Sequence, residues 1–425
     1  MLFVSTLYCG PKARHGQGRG ANGTGVYPEL AAFGFCQGAS PALVSTVARL
    51  SVLMPSFEHA QREMSRRGVS LNLKTVRRLG ERLGLELLTT RKRDLLAWRA
   101  GQLPAGTEVA GKRIGVAIDG GRTRLRENRR CQKRKGKRIT RRRRYDARWR
   151  EPKLLIIFEL DARGRMRRGS RAWLDGTFQG PNHVMELVAF HLHRLGAAQA
   201  ESVTFLSDGA PWIWERLPWV QQQVGLAAQQ THRVLDFCHA VHHVSLALEQ
   251  LKVSDEARSQ IFRRLRNHLR GGRVPLVIRE LQERAAGKRR KNPVWREIEY
   301  IHKHAPHMAY KQLRAAGLPM GSGAIESAIR RVVNQRLKGN GITWLVENAE
   351  ALLVLRAAAV TDRWEESLAH VRATMAHSRR LDWQWSSPDI PAELQAPAAE
   401  LKPPEDSCPR PPQTLENKAE SAIAA

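Results

Sequence analysis

The chain has 425 residues, 42% of them apolar, which is enough for two or three packed units. Lys and Arg number 71 against 40 Asp and Glu, a net charge of +31 that resists compaction unless a polyanion relieves it. No apolar run reaches the roughly 20 residues of a membrane span, and MLFVSTLYCG lacks the basic and apolar regions of a secretory signal.

Five scattered cysteines without a CxxC pair write neither a disulfide framework nor a closed zinc site. No long helix opposes a basic face to a clean apolar one, so the expected polyanion is nucleic acid and not a membrane. The expected location is cytoplasmic, on the nucleoid.

Residues 1–40 are glycine-rich without a sustained period and read as irregular. Helical spacing begins at Pro41. ALVSTVARLSVLM makes one helix, and SFEHAQREMSRR makes a second, stopped by Gly68. Ser70 or Asn72 caps a third, LKTVRRLGERLG. Short helices around a glycine-containing turn predict an all-α, helix-turn-helix-like DNA-binding region over 41–100; an ordinary three-helix bundle is the alternative. Arg77, Arg78 and Arg82 fall on the exposed side of the third helix and are its candidate DNA contacts.

The texture changes over 111–251. KRIGVAID, KLLIIFELDARG, RAWLDGTF, SVTFLSDGA and HRVLDF are short apolar runs of strand type. PNHVMELVAFHLHRLG and CHAVHHVSLALEQL have helical period. The mixture predicts an α/β layer, a sheet flanked by helices. Residues 252–317 are helical and basic and read as an insertion. Residues 318–386 return to the core, with a glycine turn, a helix bearing Glu326, and packing helices. Beyond 387 the proline content predicts a disordered tail.

Between the first two strands, residues 122–153 hold 17 Lys or Arg against 3 acids. A net of +14 in 32 residues repels itself unless it meets phosphates. The arm at 122–150 therefore reads as a backbone-gripping hairpin without base readout. Its candidate contacts are Arg129, Arg130, Lys133, Arg134, Lys135, Arg141, Arg142, Arg143 and Arg144. Arg330, Arg331, Asn334 and Lys338 on the Glu326 helix are further candidates.

Asp119 ends one strand before two glycines, and Asp208 ends another before Gly209. Either alone reads as a turn residue. In an open α/β sheet, however, strand C-termini face a shared crevice, and Glu326 is a lone acid on a basic helix. Three acids that converge stay ionised only with a cation, and hard oxygen ligands select Mg²⁺ or Mn²⁺. Two such ions are the standard device for displacement at phosphorus. An ordinary ion pair from Glu326 to Arg330 is the simpler alternative.

IDGGR, FLSDGAPWIW, VLDFCHAVHHV and GSGAIESAIRRVVNQRLKGNG resemble the catalytic core of bacterial insertion-sequence DDE transposases of the ISKra type, over about residues 40 to 370. The resemblance implies an RNase H-like fold with Asp119, Asp208 and Glu326 as metal-binding triad and a helical insertion before the last acid. It implies metal-dependent cleavage and strand transfer at element ends. The partners would be double-stranded DNA, as terminal inverted repeats and target, and a second copy of the chain or a larger assembly. Such transposases often carry a cysteine-paired zinc ribbon near the N-terminus. Here Cys9 and Cys36 alone stand in 1–40, a degenerate remnant for which no zinc is expected. A nuclease on the same fold that cuts without joining and an inactive DNA-binding relic are the competing readings.

DFCHAVHHV places Asp236 as a helix cap and His239 as a supporting residue near the acids. His239 and His243 share a helix face and Asp236 sits a turn earlier, but zinc lacks a convincing fourth ligand. Trp212, Trp214 and Trp219 read as core, with base stacking as the alternative. No GxxxxGK[ST] is present, so nucleotide hydrolysis is not indicated.

Overall fold

A computed structural model of the chain describes residues 39–128, 145–251 and 253–382, with residue 35 and the short segments 8–9 and 25–26. By its contacts the chain divides into Met1–His377 and Ser378–Ala425, and the sheet, the helices packed on it and the candidate site all belong to the first unit. Strands β1 (Tyr8–Cys9) and β2 (Gly25–Val26) pair antiparallel within the segment expected to be irregular. The rest of that segment, most of the basic arm and the proline-rich tail lie outside the described residues. Among the described residues, no helix is long and apolar enough to cross a membrane.

Three helices open the compact part. Helix α1 (Pro41–Leu53) is capped by Ser40, and α2 (Phe57–Arg66) by Ser56. The Asn72 side chain accepts the Thr75 N–H at 2.8 Å and starts α3, Leu73–Arg99. Where sequence spacing ends this helix near Gly84, the structure carries it on to Arg99. Gly84 does not stop it because the residue serves contact: a Cβ there would lie 2.8 Å from Ala351. The missing side chain lets two helices approach.

Strands β3 (Arg113–Gly120), β4 (Thr123–Asn128), β5 (Tyr145–Arg150), β6 (Lys153–Glu159) and β7 (Trp173–Thr177) come next. Then come α4 (Pro181–Leu195), β8 (Ser202–Ser207), α5 (Pro211–Trp214), α6 (Leu217–Val224), β9 (Thr231–Leu235) and α7 (Phe237–Gln250). The main sheet runs β7-β6-β3-β8-β9. Pairing is antiparallel from β7 through β6 to β3 and parallel from β3 through β8 to β9. The five apolar runs read as strands are these five. Strands β4 and β5 form a separate two-stranded ribbon.

Alternation along the strands feeds two cores. Ile114, Val116, Ile118, Val203 and Phe205 face α4 on one side. Ala117, Leu206, Leu154 and Ile156 face the other. On that second side come α8 (Asp255–Arg270), α9 (Val274–Ala285) and α10 (Pro293–His304), of which α8 and α10 pack on α7. After α11 (Tyr310–Ala315) comes α12 (Gly323–Ile329), which carries Glu326 and packs on β3 and β6. It runs straight into a π-helical turn, Arg330–Asn334. Helices α13 (Val346–Val360) and α14 (Trp364–Asp382) close the fold.

Two buried charge arrangements tie these parts together. Arg91 of α3 reaches Asp175 of β7 at 2.7 Å and Glu350 of α13 at 2.8 Å. His191 bonds Asp175 at 2.9 Å, and Thr177 donates to Glu350 at 2.8 Å. Every acid there has partners. Elsewhere, Arg336 lies over the rings of Phe57 and Trp344, at 4.8 and 5.0 Å, and donates to Ser51 O at 3.0 Å. Arg356 donates to Val52 O beside it. Both carbonyls belong to the last turn of α1, whose unpaired C=O groups favour a cation. Burial lowers the Arg336 pKa to about 10, helped by the nearby charge of Arg356.

Candidate active site at the parallel strand ends

Asp119 is next to last in β3, and Asp208 directly follows β8. In the β3–β8 pairing Arg113 stands opposite Ser202 and Ala117 opposite Leu206. Continued two residues, the same register sets Asp119 opposite Asp208. In the β8–β9 pairing Ser207 stands opposite Leu235, so Asp236 is next in the row. Neighbouring strands lie about 4.8 Å apart. Asp119 and Asp208 also share the parity of Ala117 and Leu206, so they project on the side where α12 packs.

The site's electrostatics agree with this juxtaposition. Burial pushes the Asp119 carboxyl up to about 6, against the N–H of Gly120 at 2.6 Å, which favours the anion. The negative charges of Asp208 and Glu151 raise it further, and His239 opposes them. The Asp208 Oδ1 accepts from Ala210 N at 2.9 Å and from Ser207 Oγ at 3.1 Å. Its backbone carbonyl accepts from the Tyr300 hydroxyl of α10. The turn needs glycine next: Gly209 has φ +86°, and a Cβ there would meet Tyr300 Oη and Leu235 at 2.9 Å.

Glu326 is exposed on α12 and has no hydrogen-bond or ion-pair partner among the described residues; the pair with Arg330 does not form. Burial raises the Cys238 thiol, and the charges of Asp236 and Glu326 raise it further, which sets Glu326 beside the start of α7. Among the described residues, no three His, Cys, Asp or Glu side chains stand close enough together to hold a metal ion. The structure thus brings Asp119 and Asp208 together. It leaves Glu326 on the same side of the sheet without joining it to them in one three-ligand cluster.

Asp236 does what a cap does, and more. Its Oδ1 accepts the His239 N–H at 2.9 Å at the start of α7. Its Oδ2 accepts the Ser322 N–H at 2.5 Å and the Ser322 hydroxyl. Ser322 is the residue that precedes α12. Buried Asp236 therefore fastens the Glu326 helix to the end of β9. His239 is half-buried, its ring 6.3 Å from that of His243. His243 stacks on Tyr300 at 3.5 Å and bonds Glu297 at 2.6 Å.

Of the candidate DNA contacts, Arg78, Arg330, Asn334 and Lys338 are exposed. Arg77 is also exposed and lies over the Phe57 ring at 5.4 Å. Arg82 is engaged with Glu86 at 2.9 Å, and Arg331 turns inward to Val360 O at 3.1 Å. Arg129, Arg130, Lys133, Arg134, Lys135, Arg141, Arg142, Arg143 and Arg144 lie outside the described residues. Trp214 stacks on His307 with centroids 4.7 Å apart, Trp212 lies 4.2 Å from Lys153 Nζ, and both are half-buried. Trp219 is 40% exposed.

Sequence reading passes over Tyr300, Ser322 and Glu151. The signal for Tyr300 is weak: with His304 it makes an i,i+4 polar face on an insertion helix far along the chain. Comparisons of the chain with protein-family models, curated proteins and solved structures find no match.

Proposed function

We propose that this chain is a DNA transposase of the DDE type, acting by metal-dependent phosphoryl transfer on an RNase H-like core. The alignment of Asp119 with Asp208 at adjacent parallel strand ends, facing the helix of Glu326, carries the reading. The net charge of +31 supports a nucleic-acid substrate.

Asp119 and Asp208 are hard oxygen donors and fit Mg²⁺ or Mn²⁺. Bound there, such an ion polarises a phosphoryl oxygen and acidifies water. Asp119 holds a proton up to about pH 6, so it must give that proton up as a cation enters, and affinity falls on acidification. Tyr300 and Gly209 fix the turn that presents Asp208. Asp236 and Ser322 fix the root of α12. Glu326, exposed on the same side of the sheet, would be the further oxygen donor toward such an ion. The helices of 41–100 contact the element's terminal repeats, and Arg330, Asn334 and Lys338 take backbone phosphates. Pairing two ends calls for two copies of the chain.

The test uses a plasmid carrying the coding sequence with its flanking DNA, incubated with the full chain and Mn²⁺. Cleavage at the flanks and joined products are expected. Asp208→Asn should bind DNA as the parent does and cut slower by a factor on the order of 10² to 10³. Cleavage without joining selects the nuclease. If parent and variant bind equally and neither cuts, the enzyme reading is lost.

A further inference from the structure

The ribbon of β4 and β5 sorts its side chains by face. Arg124 stands opposite Trp149, Arg126 opposite Ala147, and Asn128 opposite Tyr145. Opposed residues share a face, so Arg122, Arg124, Arg126, Trp149 and Tyr145 lie together. The other face holds Thr123 and Leu125, both buried against the body. Thr123 donates to Leu337 O at 2.7 Å, and Leu125 bridges to Trp344. Both acids of the ribbon, Glu127 and Asp146, fall on that inner face, where Glu127 pairs with Arg148 and Arg150. The outer face of the ribbon therefore carries Arg124, Arg126 and two aromatic rings; one step further the same register sets Arg122 opposite Glu151, whose carboxylate is bonded to Lys153 at 2.9 Å.

The rings are not filling a core. Trp149 and Tyr145 are each 48% exposed. Arg124 lies 4.9 Å and Arg122 5.6 Å from the Trp149 centroid, and Arg126 lies 4.9 Å from that of Tyr145. Large apolar rings left in water beside cations give up hydration on both counts when a polyanion with flat, unpaired bases arrives. Duplex DNA offers phosphates but keeps its base faces covered by stacking, so it satisfies the arginines and leaves the rings idle. The two rings are four residues apart on one strand, about 13 Å. That separation is too wide to sandwich one base, so each ring takes its own.

We infer that the outer face of the β4–β5 ribbon is a binding platform for unpaired nucleotides, with Trp149 and Tyr145 stacking on bases and Arg122, Arg124 and Arg126 holding the intervening phosphates. The ribbon follows Asp119 after three residues, so the platform takes a frayed or single-stranded end beside the acids. This rests on the nucleic-acid reading above and changes one part of it: the arm grips bases as well as backbone.

The test is fluorescence anisotropy of the full chain at fixed salt with three labelled DNAs: a mixed-sequence single strand, a blunt duplex, and a duplex with an unpaired 3′ tail. Trp149→Ala should weaken binding of the single strand and the tailed duplex by roughly 5- to 100-fold and leave the blunt duplex within about twofold. Trp149→Phe should restore most of the loss. Tyr145→Ala, on an equally exposed ring, should repeat the pattern independently. Arg124→Ala should instead weaken all three DNAs and reduce the salt slope by roughly 0.7 to 0.9. Equal losses on duplex and single strand in both ring variants, or none on either, overturn the platform and leave the transposase reading standing. A parent protein that binds none of the three DNAs overturns both.

Discussion

Two clusters of acids in this molecule are built in opposite ways. Around Arg91, Asp175 and Glu350 are buried, and each is bonded to a guanidinium and to a further donor. At the strand ends, among the described residues, Asp119 and Asp208 stand side by side with neither Lys nor Arg paired to them, and Glu326 has no partner. Burial would raise the Asp175 carboxyl, but the charge of Arg91 and the bond to His191 more than offset it and hold it well below the usual carboxylate range. For Asp119 burial wins, and the neighbouring acids add to it. The first cluster holds the fold together. The second is a place where the fold tolerates repulsion between acids.

The largest effect expected from breaking this contrast is at Asp175. Asp175→Asn leaves Arg91 buried with half its compensation and should cost about 3 kcal/mol in urea unfolding. A loss below about 0.5 kcal/mol would place Asp175 among ordinary surface acids. The pH dependence sharpens it. The folded pKa of Asp175 is depressed, so its contribution is complete above the unfolded value of about 3.9 and drains away as pH falls below that. His304 works over a different window. Burial and the charge of Lys303 lower its pKa to about 4, so the unfolded chain takes up that proton first, and stability falls as pH drops from about 6.5 to 4. Asp175→Asn should make the lower decline shallower, since Glu186, Glu280 and Glu297 are also depressed and share it, and should keep the upper one.

The next effect is at the other cluster. Mn²⁺ at a hundredfold excess over its Kd should stabilise the parent by about 2.7 kcal/mol, read as a rise in Tm. Asp119→Asn and Asp208→Asn should melt no lower than the parent without the ion, because each removes a repelling charge, and should not respond to it. A variant that melts much lower would mark its acid as structural.

Smallest is Tyr300→Phe. Removing the hydroxyl that bonds the Asp208 carbonyl should cost about 1 kcal/mol of stability. It should slow Mn²⁺-dependent cleavage more than it weakens DNA binding. Equal losses in both would deny that Tyr300 acts through the turn at Asp208.

Much of this was legible in the chain. The five apolar runs are the five strands of the main sheet, and Asn72 and Asp236 cap the helices expected of them. The acid-glycine pairs at the ends of β3 and β8 mark the two aspartates that the register sets opposite each other. Sheet order and register are not written locally, so the placing of Asp236 beside Asp208 emerges only from the pairing of β8 with β9. The full length of α3 was not legible, because the close approach of Ala351 that Gly84 admits comes from α13, a helix far along the chain. The two faces of the ribbon were hidden in a run of basic residues whose count alone suggests a uniform surface.

Arg336 and Arg356 have a mechanical corollary. They hold the last carbonyls of α1 from one side and belong, on the other, to the segment and helix packed around the turn that follows Glu326. Arg356 also donates to Arg331 O in the π-helical turn, so a single guanidinium ties the end of α1 to the segment that follows Glu326. Taking that side chain away would unfasten the amino-terminal helix from the turn.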